Sequence, residues 1–303
     1  MDWTAAILTI LGLVLFEVIT SVDNAIINAS VLQTMQKRYR KWFLFWGIII
    51  GVFLVRGTLP WIIVWLSNPT LGAWGSLLAS FSSDSGVIES VERSAPILLI
   101  GGGTYLLFLF LHWYFLEPKK YGLIGEKTIE RYGVWFFAVV SILLTEIVWF
   151  SLRREPMMAF SAVLGSTAFF ITHGFKTNAE EQEKKLKKKG MSDVSKIFYL
   201  EVIDSTFSID SVLGAFAFTL SVPLIFIGNG IGAFIVRELT IKGTDKIRHY
   251  IYLKNGAMYS IFFLGIIMVL DSFGFHIPSW VSPVVTFFIV GYFFVKSKKE
   301  LIK

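Results

Sequence analysis

Long apolar stretches alternate with short charged ones along almost the whole chain. Nine stretches reach the roughly 17–25 residues that a helix needs to cross a bilayer. They are 4–32, 42–66, 95–116, 134–152, 156–172, 197–220, 222–239, 255–271 and 278–295. The pattern predicts an all-α, polytopic membrane protein of about nine transmembrane helices. Arg-Arg-Glu-Pro at 153–156 reads as a tight turn between two of them, because proline suits the start of a new helix. Residues 71–80, Leu-Gly-Ala-Trp-Gly-Ser-Leu-Leu-Ala-Ser, are apolar but too short to cross. They are expected to be re-entrant or interfacial, within an outer segment (67–94) made acidic by Asp84, Glu89 and Glu92.

Charge orients these spans. With the N-terminus outside, the segments around 37–41, 119–131, 176–196 and 237–254 and the C-terminal tail face inward. They hold all of the 28 Lys and Arg except Arg56, Arg93, Arg153 and Arg154. That bias obeys the positive-inside rule. The expectation is a multi-pass protein of the cell (plasma or inner) membrane with a cytoplasmic C-terminus. The net charge of +6 then belongs to one membrane face. It does not indicate nucleic-acid binding, since residues 180–189, EEQEKKLKKK, mix both signs and read as a solvated linker. The expected organisation is a first membrane half (1–173), a charged cytoplasmic linker (174–196) and a second membrane half (197–303). The first span is not expected to be a cleavable leader. It lacks a basic start and far exceeds the 7–15 apolar residues of such a segment. With no cysteine in the chain, disulfides, thiolate metal sites and cysteine nucleophiles are excluded.

Polar residues inside the apolar stretches carry the candidate chemistry. Glu17-Val-Ile-Thr-Ser21-Val-Asp23-Asn24 and Asp204-Ser-Thr-Phe-Ser208-Ile-Asp210-Ser211 share one pattern: acid, three residues, Ser, one apolar residue, Asp, then Asn or Ser. Five spans separate the starts of the two motif helices, so the copies run in opposite directions. That arrangement predicts two inverted-topology repeats, whose sites form near the bilayer midplane. At about 100° per residue, Glu17, Ser21, Asn24 and Asn28 share one stripe, and so do Glu201, Asp204, Ser208 and Ser211. Asp23 and Asp210 lie about 240° from the acid that leads each motif. Either each meets a different neighbouring helix, or the helix unwinds there and brings the Asp onto the stripe.

Six carboxylates fall within the spans: Glu17, Asp23, Glu146, Glu201, Asp204 and Asp210. Each mid-membrane Asp costs roughly 2.5–3.5 kcal/mol on an insertion scale, so these groups need partners. Glu201 lies near a membrane surface and is expected to snorkel. Arg56 reads as the only base well inside a span, able to pair with one acid or share two. The remaining negative charge calls for protons, water or a bound cation. The competing structural reading is that protonated acids hydrogen-bond between helices. Oxygen donors without thiolate suit Mg²⁺, Ca²⁺ or Mn²⁺. The four histidines (His112, His173, His249 and His276) lie near span ends, where capping or interfacial roles are expected. Asn229 adds a possible carbonyl oxygen. Gly228, Gly230 and Gly232, like Gly101–Gly103, are expected to allow close helix packing. They are not a nucleotide loop, which needs a strand–turn–helix context.

The two motifs resemble those of the TerC family of integral membrane proteins, which is similar to the LysE-type transporter superfamily. The first-half pattern is carried by Glu17 to Asn24. The second is carried by EVIDSTFSIDSV at 201–212, and Tyr252-Leu253-Lys254 with Gly256 resembles the opening of a late span in that family. The resemblance covers roughly 16–65 and 197–270, and the chain looks closer to a branch of unknown function. It implies a divalent-cation path lined by Glu17, Asp23, Asp204 and Asp210. The functional expectation is a secondary transporter exporting Mn²⁺ or a similar cation by proton exchange. Its expected metal ligands are Glu17, Asp23, Asn24, Asp204, Asp210 and Ser211. Ser21, Ser208, Glu201, Glu146 and Arg56 are expected along the transport or proton path. No resident cofactor is expected. The partners are the lipid bilayer, the transported cation and protons. The alternative is a non-transporting membrane scaffold or tellurite-resistance factor. An intramembrane enzyme is disfavoured, because neither HExxH, nor GxGD, nor a paired Ser/His arrangement occurs in the spans.

Overall fold

The computed structural model describes residues 3–50, 56–67, 72–79, 85–119, 121–186, 192–242 and 250–301, and these contain helices and turns but no strand. The helices are α1 (Trp3–Thr20), α2 (Val22–Leu32), α3 (Lys37–Ile48), α4 (Gly57–Ser67), α5 (Gly72–Ala79), α6 (Ser85–Leu116), α7 (Ile124–Glu130), α8 (Phe136–Leu152), α9 (Pro156–Leu186), α10 (Asp193–Ala215), α11 (Val222–Lys242), α12 (Leu253–Ser272) and α13 (Val281–Leu301).

Among the described residues, seven segments are long and apolar enough to cross a membrane. They are Trp3–Thr20, Arg93–Leu116, Gly133–Leu152, Pro156–Asn178, Val222–Thr240, Leu253–Ser272 and Val281–Glu300. The expected span 197–220 is not among them. Its helix, α10, has 23 residues and is long enough, but Asp193, Lys196, Glu201, Asp204 and Asp210 lower its hydropathy. The expected span 42–66 is divided between α3 and α4, and its residues 51–55 lie outside the described part. The expected turn at 153–156 is present: the amides of Arg154 and Glu155 donate to the Ser151 carbonyl, and Pro156 opens α9. Helix α9 then continues past 172 to Leu186, so the first part of the expected linker is helical. Residues 85–94, expected as loop, belong to α6, which runs through Pro96. The short apolar segment becomes α5, at 8 residues too short to cross.

Helix α6 is the axis of the bundle, with 72% of its Arg93–Leu116 segment buried. Glycine lets two helices approach it closely. A Cβ at Gly165 of α9 would stand 2.1 Å from the carbonyl oxygen of Gly101, and one at Gly103 would stand 3.0 Å from that of Gly265 in α12. By contrast, only 17% of Gly133–Leu152 is buried. Trp135, Phe137, Ile142, Trp149 and Phe150 are exposed along it, the character of a lipid-facing helix.

Candidate functional site

The site forms where α1, α2 and α10 meet α4 and α11. Helix α1 ends at Thr20, whose hydroxyl bonds the Phe16 carbonyl at 2.8 Å, and α2 begins at Val22. The irregularity is confined to Ser21, since backbone bonds Ser21–Glu17 (3.1 Å) and Ala25–Ser21 (2.9 Å) carry the helical ladder across it. Helix α10 is continuous from Asp193 to Ala215. Of the two alternatives for the Asp at the end of the second motif, the straight helix therefore holds: Asp210 meets a different neighbour from Asp204.

Glu17 is fully buried. Its Oε1 accepts from the Ser21 hydroxyl at 2.9 Å and from Arg56 Nη2 and Nε at 2.7 and 3.1 Å. The same guanidinium reaches Asp204 Oδ2 with Nη1 at 3.5 Å. Arg56 thus shares two acids, one from each motif. Asn24 Nδ2 donates to Asp204 Oδ1 at 2.6 Å and gives the two motifs a direct bond.

Arg237 of α11 completes the network and corrects the reading of Arg56 as the only buried base. It is 7% exposed, and its Nη2 lies 3.4 Å from Asp204 Oδ2 and 3.7 Å from Glu201 Oε1. It also donates to the carbonyls of Phe43 (3.1 Å) and Gly47 (2.8 Å), and its guanidinium stands 4.5 Å from the centre of the Phe43 ring. Gly47 makes room for this, because a Cβ there would fall 2.1 Å from Glu201 Oε1 and 2.3 Å from Arg237 Nη1. Glu201 is therefore buried beside a base and does not reach out to a surface as expected. The sequence carried a signal for Arg237: Asn229, Ala233, Arg237 and Thr240 form a small or polar stripe at helical spacing on α11.

With all three acids ionised, the formal charge of Glu17, Glu201 and Asp204 exceeds that of Arg56 and Arg237 by one. Asp23 lies on α2, and its side chain is outside the described residues. Glu17 Oε2, Asn24 Oδ1, Asn28 Oδ1 and both Glu201 oxygens are buried and accept no hydrogen bond among the described residues. Asn28 lines a small cavity with Phe43, Arg56, Asp204, Arg237 and Thr240. Among the described residues no three His, Asp or Glu stand together as a ready metal cage. The physical reason is that Arg56 and Arg237 lie between the carboxylates.

Other expected site residues lie elsewhere. Asp210 accepts from the Tyr105 hydroxyl and pairs with Lys176, so its oxygens are occupied away from Asp204 and it leaves the expected ligand set. The Ser208 and Ser211 hydroxyls bond carbonyls of their own helix, those of Asp204 (2.6 Å) and Ser208 (3.0 Å). Both hydroxyls thus donate within α10. Asn229 is fully buried, and among the described residues neither of its side-chain polar atoms has a hydrogen-bond partner. His112 and His173 form a close ring pair, 3.8 Å between centroids, rather than helix caps. His249 lies outside the described residues, and His276 is exposed.

Glu146 sits on the exposed side of α8, apart from the network. Glu146→Gln is accordingly expected to leave thermal stability in detergent within about 0.5 kcal/mol of wild type. A loss comparable to that of a buried network acid would contradict this placement.

A family model described as "Protein of unknown function (DUF475)" matches residues 22–300. No curated protein and no solved structure matches the chain.

Proposed function

Since the chain belongs to the DUF475 family, whose function is unknown, its activity must be read from the site, and we propose that it is a secondary transporter for a divalent cation, Mn²⁺ foremost. The observation that carries this reading is a set of buried oxygens that accept no hydrogen bond among the described residues, around a network whose formal charge, with its acids ionised, is one negative in excess. A buried acceptor without a donor costs about 1–3 kcal/mol, and a hard cation relieves several at once. Glu17, Asn24, Asn28 and Asp204 are the proposed ligands. Arg56 and Arg237 act as internal counter-ions when no cargo is bound. Cation entry displaces guanidinium from carboxylate, so the acids never stand uncompensated in low dielectric.

The antiparallel motifs are the proposed inverted repeat, with Arg56 bridging the two copies. Their resemblance to TerC-type motifs supports the same substrate class. Moving a dication outward against an inside-negative potential costs about 4.6 kcal/mol per 100 mV, twice the single-charge value. Proton exchange is the proposed source, in a cell membrane with the Lys-rich face toward the cytoplasm.

The test is Mn²⁺ uptake into proteoliposomes. Asp204→Asn and Glu17→Gln are each expected to lower the flux at least about tenfold, by removing a charge that only bound metal or guanidinium balances. Flux equal to wild type in both variants would refute the reading. One observation favours a second reading, a non-transporting scaffold: in the structure the acids are already held by guanidinium groups. That reading predicts co-purifying partners and a cellular phenotype that survives Asp204→Asn.

A further inference from the structure

We propose that Asp210, Tyr105 and Lys176, with the paired imidazoles of His112 and His173, form a proton-conducting site separate from the cation site around Arg56. The proposal rests on the proton-exchange reading above and names the residues that carry the protons.

The second motif splits its acids between two environments. Asp204 faces α2, α4 and α11, whereas Asp210, about 240° further round α10, faces α6 and α9. One Asp210 oxygen accepts from the Tyr105 hydroxyl, and the other is held by the Lys176 ammonium. Tyr105 is fully buried, and its hydroxyl also bonds Thr172 Oγ1 at 2.9 Å. Thr172, His173 and Lys176 share one face of α9, at the i, i+1 and i+4 positions. His173 pairs with His112, which lies seven residues beyond Tyr105 on α6.

Aromatic rings wall this route. The Phe169 ring stacks on His173 (5.8 Å), and its centroid is 6.1 Å from Tyr105 and 6.0 Å from His112. Phe136 meets His112 edge-on at 5.5 Å. Such walls restrict water and leave the polar groups as the path for protons. The charged groups acting on the imidazole pair come from every side: Lys176 on α9, Asp210 on α10, Glu117 and Lys119 after α6, and Lys254 on α12. Glu117 and Lys254 pair with each other and are more than one-third exposed. The exchangeable groups thus form two clusters, Asp210 with Tyr105, Thr172 and Lys176 and the imidazole pair, which adjoin at Thr172 and His173, with the Glu117–Lys254 ion pair just past the end of α6.

A proton taken up by an imidazole is passed to Asp210. An N–H bond breaks, an O–H bond forms, and Lys176 loses the negative charge of Asp210. Asp204 lies six residues away on the same continuous helix, so a changed hold of α9 on α10 is felt at the cation site.

The experiment separates two transport modes in proteoliposomes: Mn²⁺ tracer exchange at equal pH, which needs no net proton movement, and accumulation driven by a pH gradient. His173→Gln is expected to keep exchange within about twofold of wild type and to lower gradient-driven accumulation at least about tenfold. Asp210→Asn with Lys176→Met removes both partners together, so neither charge is stranded, and the same split is expected. If both variants accumulate Mn²⁺ like wild type, or lose exchange and accumulation equally, the proton site is refuted while the transporter reading stands. A wild-type protein that moves no cation in either mode refutes both.

Discussion

Replacing Arg56 by glutamine is expected to destabilise the protein by about 3–5 kcal/mol and to abolish transport. Arg56 is 3% exposed and touches Glu17 and Asp204, both nearly or fully buried. Among the described residues, removing its charge leaves Asp204 with Arg237 and Asn24, and Glu17 with the Ser21 hydroxyl. Water cannot make up the difference in a bundle interior. If this account is right, Glu17→Gln introduced together with Arg56→Gln recovers part of the lost stability, because the pair is removed whole. Thermal unfolding in detergent measures both effects. Equal midpoints for wild type and Arg56→Gln would show that the guanidinium is not holding the two motifs together.

The second large effect is steric. Gly165→Val is expected to cost about 3 kcal/mol or more, at the upper end for overpacking. A Cβ at 165 would lie 2.1 Å from the Gly101 oxygen, 2.8 Å from its carbonyl carbon and 3.0 Å from its Cα. All three are backbone atoms, so no rotamer change relieves the contact and α9 must move away from α6. The same helix pair aligns Tyr105 with Thr172 and His112 with His173. Gradient-driven accumulation should therefore fall with stability. Gly174→Ala on the same helix is the control. Nothing lies within 4 Å of a Cβ there, and alanine favours a helix over glycine by about 1 kcal/mol. A Gly165→Val protein as stable as the Gly174→Ala protein would contradict the close α6–α9 packing.

The Gly-Gly-Gly run at 101–103 was legible as a packing signal because small residues inside an apolar helix have few other uses. What it packs against was not, since the closest approach comes from Gly165 and Ser161, some sixty residues later. Arg237, near the end of an apolar run, groups by sequence with the loop charges that follow it. The polar stripe on α11 hints at its burial, but its partners Gly47 and Phe43 come from α3, which residues 222–239 do not announce. Lys176 likewise groups by sequence with the charged linker. Helix α9 continues past the apolar run, and the flexible lysine stem brings its ammonium to Asp210.

By itself the sequence determined that this chain is helical and membrane-embedded. Apolar length and charge spacing are local properties, and a bilayer leaves the backbone few alternatives to the helix. It also marked six acids, Glu17, Asp23, Glu146, Glu201, Asp204 and Asp210, as groups needing partners, with Arg56 as a base among them, although Glu146 is exposed on α8. Only the tertiary structure decided who those partners are. An ion pair is set by how helices far apart in the chain are rotated and stacked, so Asp204 met two arginines while Asp210, a turn and two-thirds along the same helix, met a lysine and a tyrosine.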